Sequence, residues 1–133
     1  MTTATVSQVS NFHRGQRLCA ISVAATLVNT TLDVPINVSG LDRIFVQITV
    51  ATAALTGFAI KAKSNTDAAA STLYSTAGDF TTPVGLLVGA SGDLTIQGVG
   101  VGWFIMDVSG LESIILTATS GGTATLAVEA GGA

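Results

Sequence analysis

The chain has 133 residues and a formal net charge of −3, enough length for one domain with its own core. Charged residues make up only 10% and hydrophobic residues 48%, against a usual ~25% charged. That balance excludes a charge-rich disordered chain and a strongly basic nucleic-acid binder.

Residues 1–17 are polar, with Phe12 the one aromatic among them. His13, Arg14 and Arg17 make this segment basic, whereas all eight acids lie from Asp33 onward. The segment reads as a flexible polar arm, either frayed or lying on an acidic surface, its own or a partner's. His13, Arg14 and Arg17 are therefore the candidate partner-binding residues.

Residues 18–28 read as the first strand. Ser22 and Thr26 interrupt the apolar run, which sets it apart from a secretory segment. Cys19 lies inside it and reads as a small buried hydrophobe rather than a nucleophile. It is the one cysteine, so no internal disulfide can form. Asn29-Thr30-Thr31 reads as the following turn.

Next comes a unit that the chain writes twice. Val38-Ser39-Gly40-Leu41-Asp42 returns as Val108-Ser109-Gly110-Leu111-Glu112. Three apolar runs surround each copy. In the first they are residues 32–39, 44–50 and 58–62. There Ile44, Val46, Ile48 and Val50 alternate with Phe45, Gln47 and Thr49, the period-two mark of a half-buried strand. In the second copy the runs are residues 103–108, 113–119 and 123–130. Gly121-Gly122 between the last two reads as a tight hairpin, and residues 131–133 as a mobile tail. Phe58 to Ala62 aligns with Leu126 to Ala130 after a small slip. The apolar positions Ile44, Val46 and Phe58, and their counterparts Ile114, Leu116 and Leu126, should face one shared core.

Between the copies, residues 64–83 are the least regular. Asn65-Thr66-Asp67 suits the cap of one helical turn through residues 68–70, and an irregular loop suits the segment equally. Leu73, Tyr74 and Phe80 would pin it to the body. Residues 86–88 and 94–96 read as two short strands. A three-stranded unit cannot bury its apolar face alone, whereas two such units can cover each other. The expectation is an all-β fold: an antiparallel two-sheet β-sandwich, jelly-roll-like, of about eight strands with an internal repeat. It would form one domain over residues 18–133, behind the arm of residues 1–17.

The chemistry is sparse. Gly98-Val99-Gly100-Val101-Gly102 precedes an apolar strand rather than a helix and lacks Lys-Ser/Thr, so it is no phosphate loop. Its glycines mark a bulge or an edge. One histidine cannot build a multi-histidine metal centre, and His13 in an arm is poorly placed for a catalytic triad. Asp79, Asp93, Asp107 and Glu112 fit no calcium-loop spacing and read as solvated turn carboxylates. Trp103 sits in an apolar run and reads as core. No apolar run reaches the ~18 residues of a membrane helix. The reading is a non-enzymatic protein without a cofactor.

The phrase Val-Ser-Gly-Leu-Asp/Glu before an alternating strand, with the closing Ala-Val-Glu-Ala-Gly-Gly, resembles virion structural proteins of tailed bacteriophages. It is most similar to their jelly-roll cement, or decoration, proteins. The resemblance spans roughly residues 30–133 and rests on turns, so it carries no site residue. It implies a coat protein made in the host cytoplasm and placed on the capsid surface of the virion. Its partners would be the major capsid protein and copies of itself as a homo-oligomer, with no nucleic acid and no membrane. The alternative from another class is a carbohydrate- or receptor-binding module of a phage tail, which an exposed Trp103 would favour.

Overall fold

A computed structural model describes residues 3–13, 18–65, 67–76, 87–90 and 98–132. Among these residues eight strands run in chain order: β1 (Thr3–His13), β2 (Leu18–Asn37), β3 (Arg43–Ala51), β4 (Gly57–Lys63), β5 (Ser71–Ser75), β6 (Leu87–Ala90), β7 (Gly100–Asp107) and β8 (Ser113–Gly132). All pair antiparallel, and no described residue is helical. The all-β class is as expected. In place of two separate sheets, the hydrogen bonds draw one eight-stranded sheet that curls around a single core.

The joint is the pair of long strands β2 and β8. Residues 19–28 of β2 pair with 123–132 of β8, and residues 30–37 pair with 113–120. Asn29 therefore stands in a bulge, not in the expected turn, with a left-handed φ of 49° that asparagine tolerates. Gly121-Gly122 is likewise no hairpin. Both flanking segments pair with β2 in one continuous direction, so the glycines let β8 bend without reversing. Buried Ser120 locks the bend, accepting from the Gly122 amide at 3.3 Å and donating to its carbonyl at 3.0 Å. The bulge also shifts the phase of β2. Val23, Ala25 and Leu27 point inward before it, and Val34 and Ile36 after it. One extra residue thus keeps both halves apolar toward the same core.

On one side of the joint the strand order is β1-β2-β8-β3-β7-β6, and on the other β4 pairs with β8 and with β5. The two copies of the repeat interlock here. Arg43↔Asp107 starts the β3–β7 ladder, and Asn37↔Ser113 ends the β2–β8 ladder at the equivalent positions. The third strand of each copy pairs with the second strand of the other: β4 with residues 113–119, and residues 125–132 with β3. In these ladders Phe58 faces Ala118 while Val128 faces Ile48, so the offset between copies stays constant. The slip that sequence alignment required does not exist, and Phe58 corresponds to Val128 rather than Leu126.

The repeated turns hold this arrangement. Leu41 donates to the Val38 carbonyl and Leu111 to that of Val108, each at 3.0 Å. Gly40 and Gly110 occupy φ of 79° and 83°, where the third residue of such a turn must be left-handed. Each turn then reaches the other. Val38 donates its amide to the Glu112 carbonyl at 3.0 Å, and Val108 to the Asp42 carbonyl at 2.9 Å.

The core holds the expected residues: Ile44, Val46, Phe58, Ile114, Leu116 and Leu126 are all buried. Each such side chain removed from water contributes roughly 1.5–3 kcal/mol. Leu73 and Tyr74 pack against the cluster as expected, but from β5, a strand where an irregular segment was expected. Ahead of it, Asn65 caps a tight turn by accepting the Asp67 amide at 3.0 Å. Gly131 and Gly132, expected as a tail, are paired between β2 and β3. Of the two short strands expected between the copies, the first appears as β6; residues 94–96 and Phe80 lie outside the described residues.

Candidate functional site

The polar arm of the sequence reading runs over Thr3–His13 as β1, an edge strand paired along its length with β2. His13 is its last residue, opposite Leu18. Arg14 and Arg17 lie outside the described residues, so no geometry joins the three basic candidates. Asp79 and Asp93 lie outside them as well. Asp107 pairs with Arg43 at 3.4 Å, in an exposed contact of small energetic weight. Asp33 accepts the Thr117 hydroxyl at 2.8 Å. Among the described residues, no three His, Cys, Asp or Glu side chains converge in the manner of a metal site.

The notable surface is the outer face of the β2-β8-β3-β7 half. Strand alternation dictates what stands there. With Ile44, Val46, Ile48 and Val50 inward, Phe45, Gln47 and Thr49 must point out. In β7 the inward positions belong to Phe104 and Met106, which are fully buried. Trp103 therefore points out, contrary to its expected core position, and is half-buried against the sheet.

Two contacts fix Trp103 there. Its ring stacks near-parallel with Phe45, at 6.1 Å between centroids and 23° between planes. The indole also packs onto Gly89, its partner across the β6–β7 ladder, where a side chain would collide with the ring. Phe45 itself is 41% exposed, which makes the pair an aromatic patch open to solvent. Across the sheet from Trp103, in register, stand Gln47, Glu129 and Ser22. Further along the strands is a depression of about 410 Å³ lined by Ala24, Ala25, Thr26, Thr49, Ala51, Thr125, Leu126 and Ala127. Apart from Leu126 its lining is small-residued, and it is uncharged throughout.

This face can stack flat apolar groups and exchange hydrogen bonds through an amide, a carboxylate and a hydroxyl. Sequence reading singled out neither Phe45 nor Gln47 nor Glu129. The available signal was parity: once Ile44 to Val50 are assigned inward, Phe45 is an outward aromatic.

No family model matches the chain, and no curated protein matches it. Among solved structures, the chain is similar to the SPBc2 prophage-derived protein YomS, with a TM-score of 0.47 and 12% identity over 98% of this chain and 96% of that one. It is also similar to chitosan-binding module 1 of a chitosanase/glucanase from Paenibacillus sp. IK-5, with a TM-score of 0.37 and 11% identity over 96% and 93% of the two chains. Neither brings a residue role to this chain.

Proposed function

We propose that the chain is a non-enzymatic structural protein of a phage virion, a cement protein that binds the major capsid protein lattice and stabilises it. The observation that carries this reading is the trough of Ala24, Thr26, Thr49, Ala51, Thr125 and Ala127. Small uncharged side chains across three strands leave little to desolvate, which suits close contact with another protein. Several modest contacts per molecule, multiplied over a lattice, hold firmly through effective concentration. Copies of the chain would meet one another on the shell as a homo-oligomer. His13, Arg14 and Arg17 would supply the positive charge that meets an acidic lattice surface. No cofactor is required.

The test is sedimentation with purified phage shells, reading bound copies and the heat resistance of the shell. The doubly charge-reversed variant, Arg14→Glu with Arg17→Glu, should bind more weakly at low salt while its circular dichroism stays unchanged. Deleting the arm is the poorer test, because it also removes β1 and bares an edge of β2. Failure of the unaltered protein to bind any shell would remove the cement reading. A second reading, a carbohydrate- or receptor-binding module, is favoured by one observation: Trp103 stands on the outer face and not in the core.

A further inference from the structure

We infer that the outer row Trp103, Gln47 and Glu129, with Phe45 beside it, is a binding site for an uncharged saccharide chain. This deepens the second reading above; the row shares the outer face with the trough and adjoins it, Gln47 and Thr49 being successive outward positions of β3.

Three features on this face select that ligand. The first is the pair of near-parallel rings, Phe45 and Trp103, on an open sheet surface. A pyranose with equatorial hydroxyls has two faces of C–H groups, and an aromatic ring is the surface such a face covers. The second is spacing. Gln47 lies one strand from Trp103 and Glu129 one strand further. At about 4.8 Å per strand, the row spans roughly 10 Å, the length of a disaccharide. A sugar on the rings would place its hydroxyls, and those of the next unit, over an amide that both donates and accepts and a carboxylate that accepts.

The third feature is charge. The cation near this row, Arg43, is engaged with Asp107 at 3.4 Å. Glu129 is exposed, so the row repels phosphates and uronic acids. A nucleic acid, whose bases could also stack here, would meet the wrong sign.

The site contains its own reporter, because Trp103 is the one tryptophan in the chain. The experiment titrates the full-length protein with cellohexaose and with N-acetylchitohexaose, reading tryptophan emission and, in parallel, heat of binding. A saturable change in emission with at least one of them is expected. Phe45→Ala removes an exposed ring, so the fold should persist by circular dichroism while affinity falls about tenfold, the weight of one aromatic contact. Gln47→Ala should weaken binding as well. Silence with both oligosaccharides overturns the inference, as does binding that Phe45→Ala and Gln47→Ala leave unchanged. Loss of shell binding in Phe45→Ala, with no saccharide signal in the unaltered protein, would also overturn it and assign the face to a protein. Saccharide binding without shell binding would remove the cement reading alone.

Discussion

Trp103 rests directly on the backbone of Gly89, and the glycine is what makes room for it. Gly89→Ala therefore cannot be accommodated without moving the indole. The expected cost is about 1–3 kcal/mol, typical of overpacking a fitted contact. Because the chain has a single tryptophan, the displacement is visible directly: emission of Gly89→Ala should shift to the red as the ring becomes wetter. Unchanged emission and stability would mean that the indole does not sit there.

The two copies of the repeat should be energetically equivalent at their second strands. Ile44 and Ile114 occupy matching places and are both almost completely buried. Ile44→Ala and Ile114→Ala should each cost about 2–5 kcal/mol, lost burial plus a cavity. Urea titration of the two variants checks this. A change near zero in either would show that its position is not core.

Gly110 is a cleaner probe of backbone conformation than most glycines. Its φ is 83°, and an added Cβ would meet nothing within 4 Å. Gly110→Ala should cost about 1–2 kcal/mol through the left-handed conformation alone. Gly110→Asn should cost less, because asparagine tolerates that region. Equal losses for the two variants would point to a contact instead of strain.

Thr52 presents the converse case. It is β-branched, has φ of 75°, and lies at the centre of a three-residue turn in which Ala53 donates to the Ala51 carbonyl at 2.9 Å. Such strain costs about 1–3 kcal/mol, more than the ~0.5–1 kcal/mol of chain entropy that glycine adds to the unfolded state. Thr52→Gly should therefore raise stability, by about 1 kcal/mol, in the same urea titration. A loss would mean that the γ-carbon and hydroxyl make contacts worth more than the strain.

Much of this architecture is legible in the residues. The alternation from Ile44 to Val50 gives both the strand and its buried side, and the repeated Val-Ser-Gly-Leu marks equivalent turns. Two of the misread places share a cause. Asn29 and Gly121-Gly122 carry turn chemistry, but that chemistry does not say whether the chain reverses or only bends. The answer lies in the pairing of β2 with β8, a relationship between distant segments. Trp103-Phe104-Ile105-Met106 fails differently: the run is apolar at both parities, so period two cannot reveal its inward side. Only the exposed Phe45 on the neighbouring strand decides it, and with it the candidate site. The basic arm residues are visible as charge, and charge by itself carries no geometry.

The sharing of β8 among three strands has a consequence for how the molecule is made. β2, β3 and β4 all hydrogen-bond to β8, yet β8 follows every one of them in the chain. Thr31 and Thr119, joined by their hydroxyls, are 88 residues apart. During synthesis the three earlier strands must wait with open edges for the segment that completes them. A topology of such distant contacts folds in milliseconds to seconds rather than microseconds. In that interval the half-made chain is a target for strand capture by its neighbours on the polysome.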